Sequence, residues 1–405
     1  VIVATVRDLR QFGPATLPPA RHDGRLRILN IGLPILGLSS FTKALADYAA
    51  TRDDVAMTHF ALVNAAWMKV LFRVSPIPWS MDLQCANMVN LWRWRMRRAI
   101  DSGALNLECF DAVVACPQYH ARAFIERRPD RPFVVSAHTD ATAANAVRDF
   151  GDSRITTRPL DRADRAILPR CDLVTCMGWF AGNSARDDYG VDPSRLMLVP
   201  PTTTEIGPGD PPGKTPARGR AARIAIVGND WARKGGPELL RWHQSRWADR
   251  AELHVIGHGA PNDPAARNVV WHGRVPREQL LNELLPTMDL FVLPTRRDMS
   301  PWVLVEAAGA GVAAVASRLG GIPDEVIDGQ TGLLCTPGAE AEFVRAIESL
   351  LDDPDRCHRM GLAAREYARA HFTPSVVYGG LIDRLWAEFR RQSGAKGAQT
   401  RAGTE

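Results

Sequence analysis

The chain has 405 residues, enough for two domains of ordinary size, and its 45% apolar and 23% charged content excludes a disordered or fibrous protein. A formal net charge of +5 admits phosphate-bearing ligands or an anionic membrane surface and calls for no nucleic-acid partner. Seven cysteines without a C-x-x-C spacing argue against a zinc site or a disulfide framework and suit a reducing cytosol, so a cytoplasmic location is expected, with the inner face of the membrane as an option.

In chain order, residues 1–24 read as a loose N-terminal lead-in crowded by Pro14, Pro18 and Pro19. Its start, VIVATVRDLRQ, is too short and wrongly flanked for a signal peptide. LRILNI (26–31) reads as a buried strand and Ser40 to Ala50 as a helix. FDAVVAC (110–116), PFVVSA (132–137), DLVTC (171–175) and LMLVP (196–200) read as further strands with helical stretches between most of them. Strands alternating with helices predict parallel pairing in a doubly wound sheet, here an N-terminal Rossmann-like domain over 25–206. GPGDPPGKTPARGR (207–220) holds four Pro and four Gly and is the predicted linker. The alternation then restarts with RIAIVG (223–228), ELHVIG (252–257), NVVWHG (268–273), DLFVLP (289–294) and VAAVAS (312–317), a second Rossmann-like domain over 221–371. Residues 372–393 read as a C-terminal helix, with a return to the N-terminal domain as an option, and 394–405 as a disordered tail. No apolar run of about 18 residues predicts a transmembrane helix. Two such sheets are expected to face a central cleft at their carboxyl edges, where open α/β sheets bind ligands.

The most informative stretch is DLFVLPTRRDMSPWVLVEAAGAG (289–311). A strand gives way to a loop, and the loop opens a helix at Pro301, whose unpaired N–H groups and positive dipole end suit an anion. Asp298 in the loop and Glu306 in the helix flank that site. A carboxylate holds hydroxyl pairs well, so the two acids suit a ligand with a phosphate middle, such as a nucleotide sugar. The competing readings are a loop acid neutralising Arg296 or Arg297, and a surface helix position for Glu306. The neighbours of Glu306 are apolar, so an acid there needs a partner. In IVGNDWARKGG (226–236), Arg233 and Lys234 precede a helix N-terminus, an arrangement the helix dipole disfavours unless an anion lies between. A diphosphate meets that need; the alternative is an exposed basic turn. SRLGGIPDEVIDGQTGLLC (317–335) reads as a loop opening a short helix, either facing phosphates or serving only as a turn. His138 ends the strand in VVSAHTDAT (134–142), with a structural role as its alternative. GLPILGLSSFTK (32–43) looks like a glycine-containing phosphate loop without being G-x-G-x-x-G. NLWRWRMRRAI (90–100) interleaves tryptophan and arginine and suits a peripheral contact with an anionic membrane; its alternative is a packed helix with a solvated Arg face. No strand ends in Asp-x-Asp, so no metal ligands are assigned.

The succession VGNDWARKGG, ELHVIG, HGRVPREQL, DLFVLPTRRDMSPWVLVEAAGAG and SRLGGIPDEVIDGQTGLL resembles family 4 of the glycosyltransferases, retaining enzymes of the GT-B fold. The resemblance is fainter in the N-terminal half, carried by VVSAHTDAT and DLVTCMGWFAGNSARDDYGV. It implies that Glu306 holds the ribose of the donor, that position 298 faces the donor sugar, and that backbone N–H groups of Ser300, Trp302 and Val303 approach sugar or phosphate. It implies a diphosphate role for Lys234, a place over the donor sugar for His138, and an approach to the phosphate for Gly37. Asn229 stands where the family often has Arg, and Arg233 is the candidate to supply the missing charge. Arg274, in HGRVPREQL, is counted with the donor-binding residues. The first Glu of the family's acid pair is Asp298 here.

The expected function is therefore a metal-independent, cofactor-free retaining transfer of a hexose from a nucleotide diphosphate sugar to a glycan, lipid-linked or small-molecule acceptor. His138, Asp298 and Glu306 are the expected catalytic residues. A non-catalytic GT-B protein that binds a nucleotide sugar or a partner enzyme is the alternative, motivated by Asp298 and Asn229. An epimerase or phosphorylase on the same fold is a third reading.

Overall fold

The computed structural model describes residues 2–6, 24–33, 36–62, 81–211 and 214–402. The chain forms two compact units, residues 1–199 with 378–405, and residues 200–377.

The first unit is built on seven parallel strands: β1 (Ile2–Val6), β2 (Leu26–Gly32), β3 (Val55–Leu62), β4 (Ala112–Ala115), β5 (Val134–Thr139), β6 (Leu173–Cys176) and β7 (Leu196–Leu198). Their order across the sheet is β1-β3-β2-β4-β5-β6-β7. All residues of β2, β4, β5 and β6 are buried, as expected where helices cover both faces of a parallel sheet, and AVVA of β4 is apolar throughout. Helix α1 (Leu36–Ala49) follows β2, and α2 (Met81–Asp101) precedes β4. One charged pair sits inside this core. Arg27 of β2 donates from Nε to Asp111 Oδ2 at 3.0 Å and from Nη2 to Oδ1 at 2.7 Å, just before β4.

The second unit has six parallel strands: β8 (Ala222–Val227), β9 (Ala251–Ile256), β10 (Val269–Gly273), β11 (Leu290–Leu293), β12 (Ala313–Ser317) and β13 (Gly332–Cys335). Their order is β10-β9-β8-β11-β12-β13. This is the doubly wound arrangement in which strand order reverses between the first and fourth strands, and ligands bind at the carboxyl ends beside that reversal. Here the reversal lies between β8 and β11. Two apolar cores flank the sheet, one around Ile224, Leu253, Val292 and Phe343, the other around Ala225, Phe291, Leu304 and Ile322.

The structure corrects several boundaries. Ile2–Val6, inside the expected lead-in, is a strand whose backbone pairs with β3. The division between the units falls at Val199/Pro200, before the expected linker. The described part of 207–220 has no helix or strand and is fastened to the second unit, through Lys214 Nζ to Met288 O at 2.5 Å and Arg218 to Asp355 at 2.6 Å. The last helix, α6 below, runs from Pro374 to Ala402, so helix replaces most of the expected disordered tail. From Tyr378 onward it belongs to the first unit, where the Phe133 N–H donates to Gln392 Oε1 at 3.0 Å. No helix among the described residues is long and apolar enough to cross a membrane.

Candidate active site

In the second unit the loop after β8 leads into helix α3 (Gly236–Trp242), and the loop after β11 leads into α4 (Trp302–Gly309). Helix α5 (Pro354–His371) packs against α4, and α6 (Pro374–Ala402) closes the chain. The two loops meet at the strand-order reversal. Gly235 takes φ +79°, and a Cβ there would stand 2.3 Å from Pro294 O. Only glycine allows that backbone and that approach. The loops are also tied by Thr295 Oγ1 donating to Arg233 O at 3.0 Å and by Arg233 Nη1 donating to Arg297 O at 2.7 Å.

This closure places the charges. Lys234 is buried, and its Nζ lies 2.5 Å from Asp298 Oδ2. Arg233 Nη1 lies 3.3 Å from the same oxygen, and its Nε 3.0 Å from Asp230 Oδ2. Asp298 thus pairs with the cations of the β8 loop, whereas Arg296 pairs with Glu238 at 3.2 Å. On the other side, α4 begins at Trp302 with Pro301 as its N-cap, one residue later than predicted. Its first N–H groups, those of Trp302 and Val303 included, have no acceptor within the helix. Glu306 is 5% exposed and accepts from Arg277 Nε at 2.8 Å. The Arg277 guanidinium lies 5.7 Å from the Trp302 ring centre, a cation–π contact. Ser300 is buried at the end of the loop.

Other predicted residues lie further out. Asn229 is exposed, its Oδ1 accepting from the His258 N–H at 3.4 Å. Arg274 is exposed in the turn after β10, and Arg277, three residues on, is the arginine that reaches Glu306. In the first unit, Gly37 lies in the first turn of α1. His138 is the penultimate residue of β5, its ring wholly buried and stacked on Phe41 of α1 at 3.7 Å between ring centres. Its Nδ1 is 3.0 Å from Thr175 Oγ1. Burial lowers its pKa to about 3, so the ring is neutral at pH 7.

Two site residues escaped the sequence reading. Arg277 carried no local signal, because its partner is 29 positions away. Glu325 sits at the end of the short helix Ile322–Glu325, fully buried, and neither carboxylate oxygen has a hydrogen-bond partner among the described residues. Burial first, and then the charge of Asp298, push its carboxyl well above the usual range. Gly320, with φ +55°, lets this segment lie against the Asp298 backbone, since a Cβ would stand 2.3 Å from Asp298 O. Among the described residues, no group of three or more His, Cys, Asp or Glu is placed to hold a metal ion.

Comparison with known proteins agrees with this fold. The chain superposes on sucrose-phosphate synthase from Thermosynechococcus elongatus with a TM-score of 0.66 at 16% identity, covering 90% of this chain and 100% of that one. It superposes on Anabaena Alr3699/HepE in complex with UDP and glucose with a TM-score of 0.61, again at 16% identity and over 90% and 100% of the two chains. The fold is GT-B. Within this GT-B chain, residues 221–353 match the sequence model of the family described as glycosyl transferases group 1. The D-inositol 3-phosphate glycosyltransferase of Nocardia farcinica is 28% identical over 295 residues, 65% of this chain and 63% of that protein. The GT-B chain therefore spans under two thirds of that relative's length. The matched segment contains Arg233, Lys234, Arg277, Asp298, Glu306 and Glu325.

Proposed function

We propose that this protein is a retaining family 4 glycosyltransferase that moves a hexose from a nucleoside diphosphate sugar to a glycan, lipid-linked or small-molecule acceptor, without a metal or other cofactor. The observation that carries the reading is the meeting of Lys234 and Arg233 with Asp298, in the loop that leads from β11 into α4 at the carboxyl edge of the second sheet, with Glu306 buried one turn into that helix. Lys234, Arg233 and the N–H groups supply positive charge where a diphosphate leaves, the electrostatic term that dominates when charge develops on a departing group. Glu306, with Oε1 held by Arg277, accepts from the ribose hydroxyls. The name of the Nocardia relative and the UDP and glucose of the Anabaena structure support this reading. Calorimetry with UDP, GDP, ADP and their hexose conjugates, followed by transfer assays with EDTA over an acceptor panel, tests it. The expected result is binding of one nucleoside diphosphate and release of that diphosphate with the sugar's anomeric configuration kept. Inversion, or a need for added metal, refutes the corresponding part.

A peripheral membrane contact through residues 90–100 belongs to the same proposal. Trp94 is 54% exposed beside Arg98, whose guanidinium lies 5.5 Å from its ring centre. Glu126 pairs with Arg93 at 2.6 Å and lies 3.6 Å from Arg97, offsetting part of their charge, so a modest affinity is expected. Cosedimentation with phosphatidylglycerol-containing vesicles, weakened in Trp94→Ala, is the expected outcome; no cosedimentation discards the contact.

A further inference from the structure

The cations assigned above to the donor diphosphate already have an anion. Asp298 Oδ2 stands 2.5 Å from Lys234 Nζ and 3.3 Å from Arg233 Nη1, so one oxygen serves both cations. The side chains of Lys234 and Asp298 are 11% and 12% exposed, which limits screening by water and strengthens their attraction. Arg233 is shared with Asp230, but no other carboxylate pairs with Lys234 among the described residues. Burial pushes the carboxyl of Glu325, an acid that feels the charges of Asp298 and Lys234, well above the usual range, which favours its neutral form. Asp298 is therefore the anion that a phosphate meets on arrival. Two anions on one poorly hydrated ammonium repel each other, so both cannot keep this geometry.

We propose that Asp298 is a resident stand-in for the donor's phosphate: an arriving diphosphate takes Lys234 and Arg233 from it, and the freed carboxylate turns to the hydroxyls of the donor sugar. This rests on the donor-site reading above and gives Asp298 a second role, as a competitor that sets how tightly the diphosphate is held. It also reverses the sign expected of an ordinary contact residue. A residue that only touches the sugar leaves the affinity for a sugar-free nucleoside diphosphate unchanged when it is replaced. A residue that only braces the loop lowers that affinity.

The test is calorimetry of the full chain and of Asp298→Asn with UDP, GDP and ADP. Asparagine keeps the shape and removes the charge. The diphosphate that binds the unmodified protein is expected to bind D298N on the order of tenfold more tightly. The extra affinity that the attached hexose brings is expected to fall in the same variant. D298A, which removes the side chain altogether, is expected to move diphosphate affinity in the same direction. Unchanged or weaker diphosphate binding in both variants overturns the inference and leaves the functional reading standing. If neither the unmodified protein nor the variants bind any of the three diphosphates, the functional reading fails and this inference fails with it.

Discussion

Replacing Lys234 by methionine is expected to lower sugar transfer by roughly 10²–10³-fold, the scale seen when one preorganised donor to a developing anion is removed. Methionine suits the site because only the charged end of Lys234 has a polar task. Its stem is buried against the Gly228 backbone, with Lys234 Cγ 2.8 Å from where a Gly228 Cβ would be, and an unbranched apolar chain can fill that space. Two consequences of losing the ammonium are expected. On the proposed reading the diphosphate loses a cation beside the loop after β11, and Asp298 keeps Arg233 as its counter-ion among the described residues, so the site is more negative towards an arriving anion. Both effects weaken binding, and the first also raises the barrier, since charge on the leaving diphosphate grows in the transition state. Steady-state kinetics are expected to show kcat falling and KM for the donor rising together, with circular dichroism and melting temperature near those of the unmodified protein. Transfer within about threefold of normal contradicts the placement of the diphosphate at Lys234, because a group that bears on the leaving charge is worth more than that.

Some of this site was legible in the sequence, and physics explains which parts. Lys234 and Asp298 stood out because a cation before a helix N-terminus and an acid in a loop between apolar runs are locally anomalous. Glu306 stood out because its neighbours leave no polar face, and the expectation that it needs a partner is met by Arg277. The partner itself was invisible: Arg277 opens a solvent-facing turn, and nothing within a few residues marks its reach to α4. Glu325 was hidden for a related reason. In IPDEVIDG it reads as one of several acids in a polar turn, and only the close approach allowed at Gly320 buries it beside Asp298. Burial also changes the picture of His138. Its place at a strand end was readable, but the stacked Phe41 comes from a helix about a hundred residues earlier. Strands followed the same division. Those with unbroken apolar runs, such as β4 and β11, were plain. VAMTHFAL in β3 mixes Thr58 and His59 into its run, and GLLC in β13 is four residues after a turn, too short for periodicity to speak. The Ile2–Val6 strand is identified by its pairing with β3, a long-range fact.

Asp111→Ala is expected to be the most destabilising single change in the first unit, by about 3–5 kcal/mol. The Arg27–Asp111 pair joins the start of β2 to the start of β4, and the two side chains are 3% and 1% exposed. Asp111 accepts from Arg27 Nε and Nη2, from the Arg27 backbone N–H at 3.0 Å, and from Arg131 Nη1 at 3.3 Å. The attraction within such a pair barely exceeds the cost of taking both charges out of water, so the pair itself adds little net stability. Removing one member is different, because the buried guanidinium keeps its desolvation cost and loses the anion that offset it. For a unit of this size the loss corresponds to a fall in melting temperature of roughly 6–20 °C. Arg27→Met in the same chain is expected to recover part of it, because the double variant also removes the buried guanidinium that lost its carboxylate. A double-mutant cycle by thermal denaturation therefore separates two accounts. If Asp111→Ala and Arg27→Met simply add, the strands are held by packing alone and the pair is incidental. If the second substitution restores stability, the charge left behind is what unfolds the protein, and the ends of β2 and β4 are registered by a salt bridge that neither strand's apolar pattern requires.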